Sequence, residues 1–148
     1  MRFLEKLGLF YLVGLGAIYG FGALAASSSY QPQVNYDLSA TIASGQTTSA
    51  EVDLGGTMLV GVFLPASFDG TTLKISAASA AGGTFITVEN GAGTPADVTL
   101  TASGHSKFVP LAAADRDAVR GLRFIKLVAG SSQTTTDTVI TLATIPTK

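Results

Sequence analysis

The residues able to do chemistry are few and scattered. One histidine, His105, sits in the turn-like run Ser103-Gly104-His105-Ser106. A metal centre needs several ligands, and no second His lies near it and no cysteine occurs in the chain. A serine triad would have to use the same histidine, and no G-x-S-x-G elbow accompanies it. His105 is therefore read as a solvated turn residue. Asp115 and Asp117 stand two apart, as two oxygen ligands for calcium would, but the further acids and the glycine of a calcium loop are missing. Helix-start capping and an i, i+3 pair between Asp117 and Arg120 explain them better. Glu51 and Asp53 alternate along a strand and are expected to face solvent. Arg116, Arg120, Arg123 and Lys126 form the one basic cluster, interleaved with those aspartates and lacking an aromatic platform beyond Phe124. A solvated or intersubunit salt-bridge face fits them, and nucleic acid is not an expected partner. Gly82-Gly83 and Gly91-x-Gly93 have neither the lysine of a phosphate loop nor a helix after them, so they are turns. These residues imply no catalytic site, cofactor or metal, and the chain is expected not to be an enzyme.

The elements that would position such residues read as an all-β domain. Candidate strands are Asp37–Ala43, Ser49–Leu54, Met58–Leu64, Thr72–Ala77, Thr84–Glu89, Asp97–Ala102, Lys107–Leu111, Gly121–Ala129 and Thr136–Ile145. Asp69-Gly70, Gly55-Gly56 and Asn90-Gly91 between them are turn signals, because glycine accepts positive φ without a clash. Turns recur at the spacing of a β-sandwich or jelly roll of about 8–9 short antiparallel strands. Alternation points Val52 and Leu54, Leu73 and Ile75, and Val98 and Leu100 inward. In the last strand Val139, Thr141 and Ala143 oppose Ile140, Leu142 and Thr144, and either face could be the buried one. Met58–Leu64 is apolar on both faces and reads as a central strand or one covered by a partner. Gly61 within it predicts a bulge or a close backbone approach. Only Ala112–Arg120, after Pro110 and before Gly121, looks helical in this part.

Ahead of this domain, Leu7–Ala26 carries no charge. A helix of that length spans about 30 Å, the thickness of a bilayer core. Arg2 and Lys6 precede it, and Ala23-Leu24-Ala25 would suit a signal peptidase. Three readings stand: a cleaved signal, a retained membrane helix, or a hydrophobic helix buried in an assembly. Gly8, Gly16 and Gly20 lie on one i, i+4 row, where small residues let helix backbones approach closely. They are the candidate helix-packing positions. Residues 27–36 read as a polar linker containing Pro32, and the domain as 37–148.

Composition narrows the class. Net charge is −1, and 13% of residues are charged, about half the usual share. Such a chain has no field to steer nucleic acid and a surface suited to packing in an assembly. No disulfide framework is available, and a domain of this size needs none to bury a core.

The runs ATIASGQTTSAEVDLGG (40–56), LVGVFLPASFDGTTLKIS (59–76), GLRFIKLVAGSS (121–132) and TDTVITLA (136–143) resemble small structural proteins encoded among the head and tail genes of tailed phages. The resemblance implies a β-sandwich or jelly-roll subunit of the virion, of the decoration, cement, fibre-base or other minor structural type, minor capsid protein included. The apolar N-terminal run departs from that pattern and implies an anchor, with membrane contact through 7–26 one form of it. The expected function is a non-enzymatic virion protein that docks by its β-domain in a capsid or tail assembly. The expected partners are other virion proteins and further copies of itself, in cyclic symmetry with a trimer favoured by analogy. The alternative is an exported or membrane-anchored binding module of the bacterial envelope. Met58, Val60, Val62 and Phe63, with Arg116, Arg120 and Arg123, are the candidate interface residues.

Overall fold

The computed structural model describes residues 32–91, 100, 101, 106–134 and 136–147. The chain divides between Gln31 and Pro32, and the described fold is that of the second unit. The expected N-terminal helix with Gly8, Gly16 and Gly20, the Ala23-Leu24-Ala25 site, Val98 and His105 lie outside the described residues.

Among the described residues nine strands occur, where nine are predicted. They are β1 (Asn35–Ile42), β2 (Val52–Asp53), β3 (Thr57–Leu64), β4 (Thr72–Ala78), β5 (Ile86–Thr87), β6 (Leu100–Thr101), β7 (Lys107–Pro110), β8 (Phe124–Ala129) and β9 (Thr138–Pro146). A short helix, α1 (Ala113–Val119), lies between β7 and β8. β1 starts two residues early, so Asn35 and Tyr36, read as linker, belong to the strand. The predicted strand Ser49–Leu54 shrinks to two residues because a side chain interrupts its ladder. Ser49 Oγ accepts from the backbone N–H of Leu127 at 3.0 Å, while its own N–H donates to Leu127 O at 2.9 Å.

The strands form two antiparallel sheets. One has the order β1-β9-β3-β7; the other runs β2-β8-β4, with β5 and β6 both paired to β4. The pairing is nested. β1 meets β9, β2 meets β8, β3 meets β7 and β4 meets β6, so the chain is one long hairpin with β5 at its tip. Successive pairs alternate between the sheets, and β3–β9 and β4–β8 contacts close each sheet.

A hydrophobic cluster draws Ala40, Ile42, Leu59, Val62, Ile140 and Leu142 from the first sheet and Leu73, Ile75, Ile125 and Leu127 from the second. Each large side chain so buried contributes about 1.5–3 kcal/mol. The predicted inward residues Val52, Leu54, Leu73 and Ile75 are all in it. β9 resolves with Thr138, Ile140, Leu142 and Thr144 inward.

Gln133 fastens the loops at one end. It is fully buried, and its carbonyl oxygen accepts from Asp69 N–H at 2.9 Å and Thr138 Oγ at 3.0 Å. Its amide nitrogen donates to Asp69 O at 2.9 Å and Ser131 O at 3.1 Å. A buried amide stays inexpensive only when every such group is matched, and here it is.

α1 ends where predicted, at Gly121 with φ of +81°. Its start differs from expectation. The N-cap is Ala112, with no side-chain cap bond, and Asp115 lies within the first turn. The Asp115 carboxylate accepts from Asn90 Nδ2 at 3.2 Å instead. Asp117 and Arg120 meet through their backbones, Arg120 N–H donating to Asp117 O at 3.3 Å.

Candidate functional site

β3 decides what the first sheet presents outward. Its pairing with β9 slips between Leu59 and Gly61, leaving Val60 as the extra residue of a bulge. Without the bulge, Leu59, Gly61 and Phe63 would share a face. With it, Leu59, Val62 and Leu64 point into the core and Phe63 points out, 40% exposed. The glycine signal thus marks both a bulge and a close approach. A Cβ on Gly61 would lie 2.5 Å from Phe108 Cζ and 3.0 Å from Val109 O. The glycine leaves the room that the Phe108 ring occupies against β3.

Residues directly opposite in an antiparallel ladder share a face. Phe63 stands opposite Phe108 on β7 and Thr141 on β9. The two phenylalanine rings are 4.7 Å apart, and Tyr36 of β1 meets Phe63 edge-on at 5.5 Å. The rings cross the full width of the sheet. Ala143 lies on this outer side yet is fully buried. The remaining outward positions are Ser39 and Thr41 on β1, Val139 and Ile145 on β9, Met58 on β3 and Pro110 on β7. Asp37, exposed beside Tyr36 where the β1–β9 register shifts, adds a carboxylate at this edge of the face. Lys107 of β7 stands opposite Leu64, so it belongs to the other side.

The outer side of the second sheet is charged. Arg123 and Asp53 form a two-pronged ion pair with both bonds at 2.9 Å. Arg123 and the Gly55 N–H hold the Asp53 carboxyl below the usual carboxylate range, and Asp53 raises Arg123 in return. Arg123 also lies 5.0 Å from the Phe124 ring centre, and Lys126 lies 4.4 Å from that of Phe85. Here each aromatic carries a cation on its face.

The predicted site residues therefore separate. Met58 and Phe63 are on the outer side of the first sheet, and Val60 is half-buried at the bulge. Val62 is a correction: it has no exposure, because the bulge turns it into the core. Arg116 and Arg120 lie at α1, while Arg123 is committed to Asp53 on the other sheet. Arg123 and the apolar β3 residues thus belong to different sheets. Glu51 does not simply face water, since its carboxylate accepts from Gly82 N–H at 2.8 Å. Sequence reading missed Tyr36, Phe108 and Val139, which only the strand register joins to Phe63.

Among the described residues, no group of three His, Cys, Asp or Glu could hold a metal ion. Among them also, no helix is long and apolar enough to cross a membrane. A groove of about 350 Å³ lies where β1 and β9 meet the β2–β3 turn, lined by Asn35, Asp37, Asp53 and Thr57 among others. Its Asp53 is already engaged by Arg123. No family model, curated protein or solved structure matches the chain.

Proposed function

We propose that the chain is a non-enzymatic structural protein of a virion, docking by its β-domain in a capsid or tail assembly, with the apolar run 7–26 as its anchor. The observation that carries this reading is the largely apolar outer side of the β1-β9-β3-β7 sheet, crossed by Tyr36, Phe63 and Phe108. An apolar face of this kind is a hallmark of an interaction surface. The nested strand order supports the same reading. With β6 set aside it is the order of a jelly roll, a β-sandwich architecture used by capsid proteins and also by lectins. The ring geometry favours the former. Tyr36 and Phe63 are inclined by 76° and Phe63 and Phe108 by 40°. Rings so inclined make no flat platform for a sugar; they fill space against another protein.

Mass spectrometry of gradient-purified virions from the system that encodes the chain tests this. Peptides from both 1–26 and the β-domain are expected at stoichiometric levels. Recovery only from the host envelope, with an N-terminus near Ser27, would replace the virion with an exported binding module.

A further inference from the structure

We propose that Asn90 is a site of spontaneous deamidation, in which the backbone nitrogen of Gly91 closes on the Asn90 side-chain amide and the resulting carboxylate is set against Asp115. The chain holds two asparagines, Asn35 and Asn90, and only the second precedes a glycine. Asp69-Gly70 is its one Asp-Gly pair, and an aspartate side chain can close on a following glycine nitrogen in the same way. The reaction needs only water. Gly91 N gives its proton to solvent and bonds to Asn90 Cγ, the Cγ–Nδ2 bond breaks, and the nitrogen leaves as ammonia. Water then opens the cyclic succinimide. Opening at Cγ gives aspartate. Opening at the backbone carbonyl carbon gives isoaspartate, with the main chain routed through the side chain. Asparagine is a thermolabile residue, and a glycine after it presents no Cβ to crowd the attacking nitrogen.

The two glycine pairs have opposite surroundings. Asp69 is held on both sides of its backbone, its N–H donating to Gln133 Oε1 and its carbonyl accepting from Gln133 Nε2, each at 2.9 Å. Its carboxylate accepts from Thr134 N–H and Thr134 Oγ, both at 2.8 Å. Gly70 lies against Ser131, 3.5 Å from where a Cβ would stand. That carboxylate cannot turn toward Gly70 N without giving up both Thr134 bonds. Gly91 is exposed, its φ is +73°, and a Cβ built there would meet no described atom within 4 Å. The backbone there has room to swing its nitrogen onto the side chain. The Asn90 bond to Asp115 Oδ1, at 3.2 Å, is at the long end of the hydrogen-bond range. It also uses Nδ2, the atom that leaves.

Deamidation reverses what that contact does. Asn90 Nδ2 donates to the Asp115 carboxylate, whereas the oxygen that replaces it belongs to a second carboxylate, and like charges so close repel. Asp115 lies in the first turn of α1, where Arg116 N–H donates to Ala112 O at 2.9 Å. The repulsion therefore bears on the start of the helix. The core is spared, because Val119, at the far end of α1, is the helix residue packed into it.

Both pairs are followed in the full chain, held warm in mild detergent at neutral pH, and in the same chain unfolded in guanidinium chloride. Peptide mass spectrometry reads the exchange of NH2 for OH at Asn90, and labelling by an isoaspartate methyltransferase reads isoaspartate at either position. Unfolded, both pairs react. Folding is expected to slow Asp69 by at least about tenfold and Asn90 by less than about threefold. Equal effects of folding on the two pairs would overturn the proposal, because the glycine motif alone would then explain any reaction. Asn90→Asp makes the aspartate product directly. Hydrogen exchange at the Arg116 amide is expected to rise about fivefold in this variant, the factor that one like-charge contact in water is worth at such a separation. Adding Asp115→Asn is expected to restore the slower exchange. An Arg116 amide indifferent to Asn90→Asp, or a rise that Asp115→Asn leaves in place, would overturn the setting of the new carboxylate against Asp115.

Discussion

The outer sides of the two sheets use aromatic residues in opposite ways. On the second sheet, Phe124 and Phe85 are each covered by a cation from a neighbouring position, and Asp53 balances one of those cations. The rings there help hold long polar side chains in place while the charge stays in water. On the first sheet Tyr36, Phe63 and Phe108 have only one another, and roughly half of each residue remains open. Both surfaces come from strands of similar length on one shared core. The difference lies in what stands beside each ring: Arg123 and Lys126 on one side, Thr141, Ala143 and Gly61 on the other. A surface that covers its own rings is finished as it stands. One that lines them up uncovered leaves apolar ring area in water.

The comparison can be broken at several points, and the largest effect should come from the core that both surfaces share. Leu142→Ala should cost about 2–5 kcal/mol of unfolding free energy, whereas Val139→Ala, three positions away on the same strand, should stay within about 0.5 kcal/mol. Urea titration of both would show whether β9 faces inward with its even-numbered residues. Gly61→Ala should cost about 1–3 kcal/mol by overpacking and swing Phe108 off Phe63. Loss of the ring-current shifts between the two would report the swing, and unchanged shifts would mean that β3 is not bulged as described. Third, a double-mutant cycle on Phe63 and Phe108 should give a coupling of about 0.5–1.5 kcal/mol that salt leaves unaltered. The Lys126–Phe85 cycle should give about 0.5–1 kcal/mol at an exposed site. The smallest effect concerns Asp53. Its folded pKa is depressed, so its pairing stabilises the fold above the ordinary carboxylate range and loses that contribution as pH falls through the lower folded value. The loss is confined below about pH 4 and is small because both partners are exposed. Arg123→Ala should return the Asp53 pKa toward its ordinary value in a carbon-detected titration.

Local signals carried much of this fold. Asp69-Gly70, Gly55-Gly56 and Gly121 marked where the chain turns, and alternation placed Leu73, Ile75 and Leu54 in the core. Gly61 announced an irregular strand before any neighbour was known. The direction of the irregularity was not legible, because a bulge reverses inside and outside beyond it. Val62 and Phe63 could be assigned only once β9 fixed the register. The candidate surface was the least legible part. Tyr36, Phe63 and Phe108 lie far apart in sequence, and nothing near any of them says that β9 will run between the strands of the first two or that β7, which carries the third, will pair with β3. Asp53 and Arg123 are likewise 70 residues apart. Pairs of that kind belong to topology, which residue spacing does not encode.

The nested hairpin also has a consequence in time. Asn35 pairs with Thr144, so the outermost pair of the nest joins two of the most distant parts of the domain's chain. At about 5–20 residues per second of synthesis, β1 emerges from the ribosome several seconds before its partner exists. β2 and β3 wait as well, in reverse order of their appearance, and Tyr36 and Phe63 wait with them, bare. The apolar run 7–26 precedes them all. A nascent chain of this design spends its first seconds as a string of unpartnered strand edges, and its yield in a cell depends on what shelters those edges until β9 arrives.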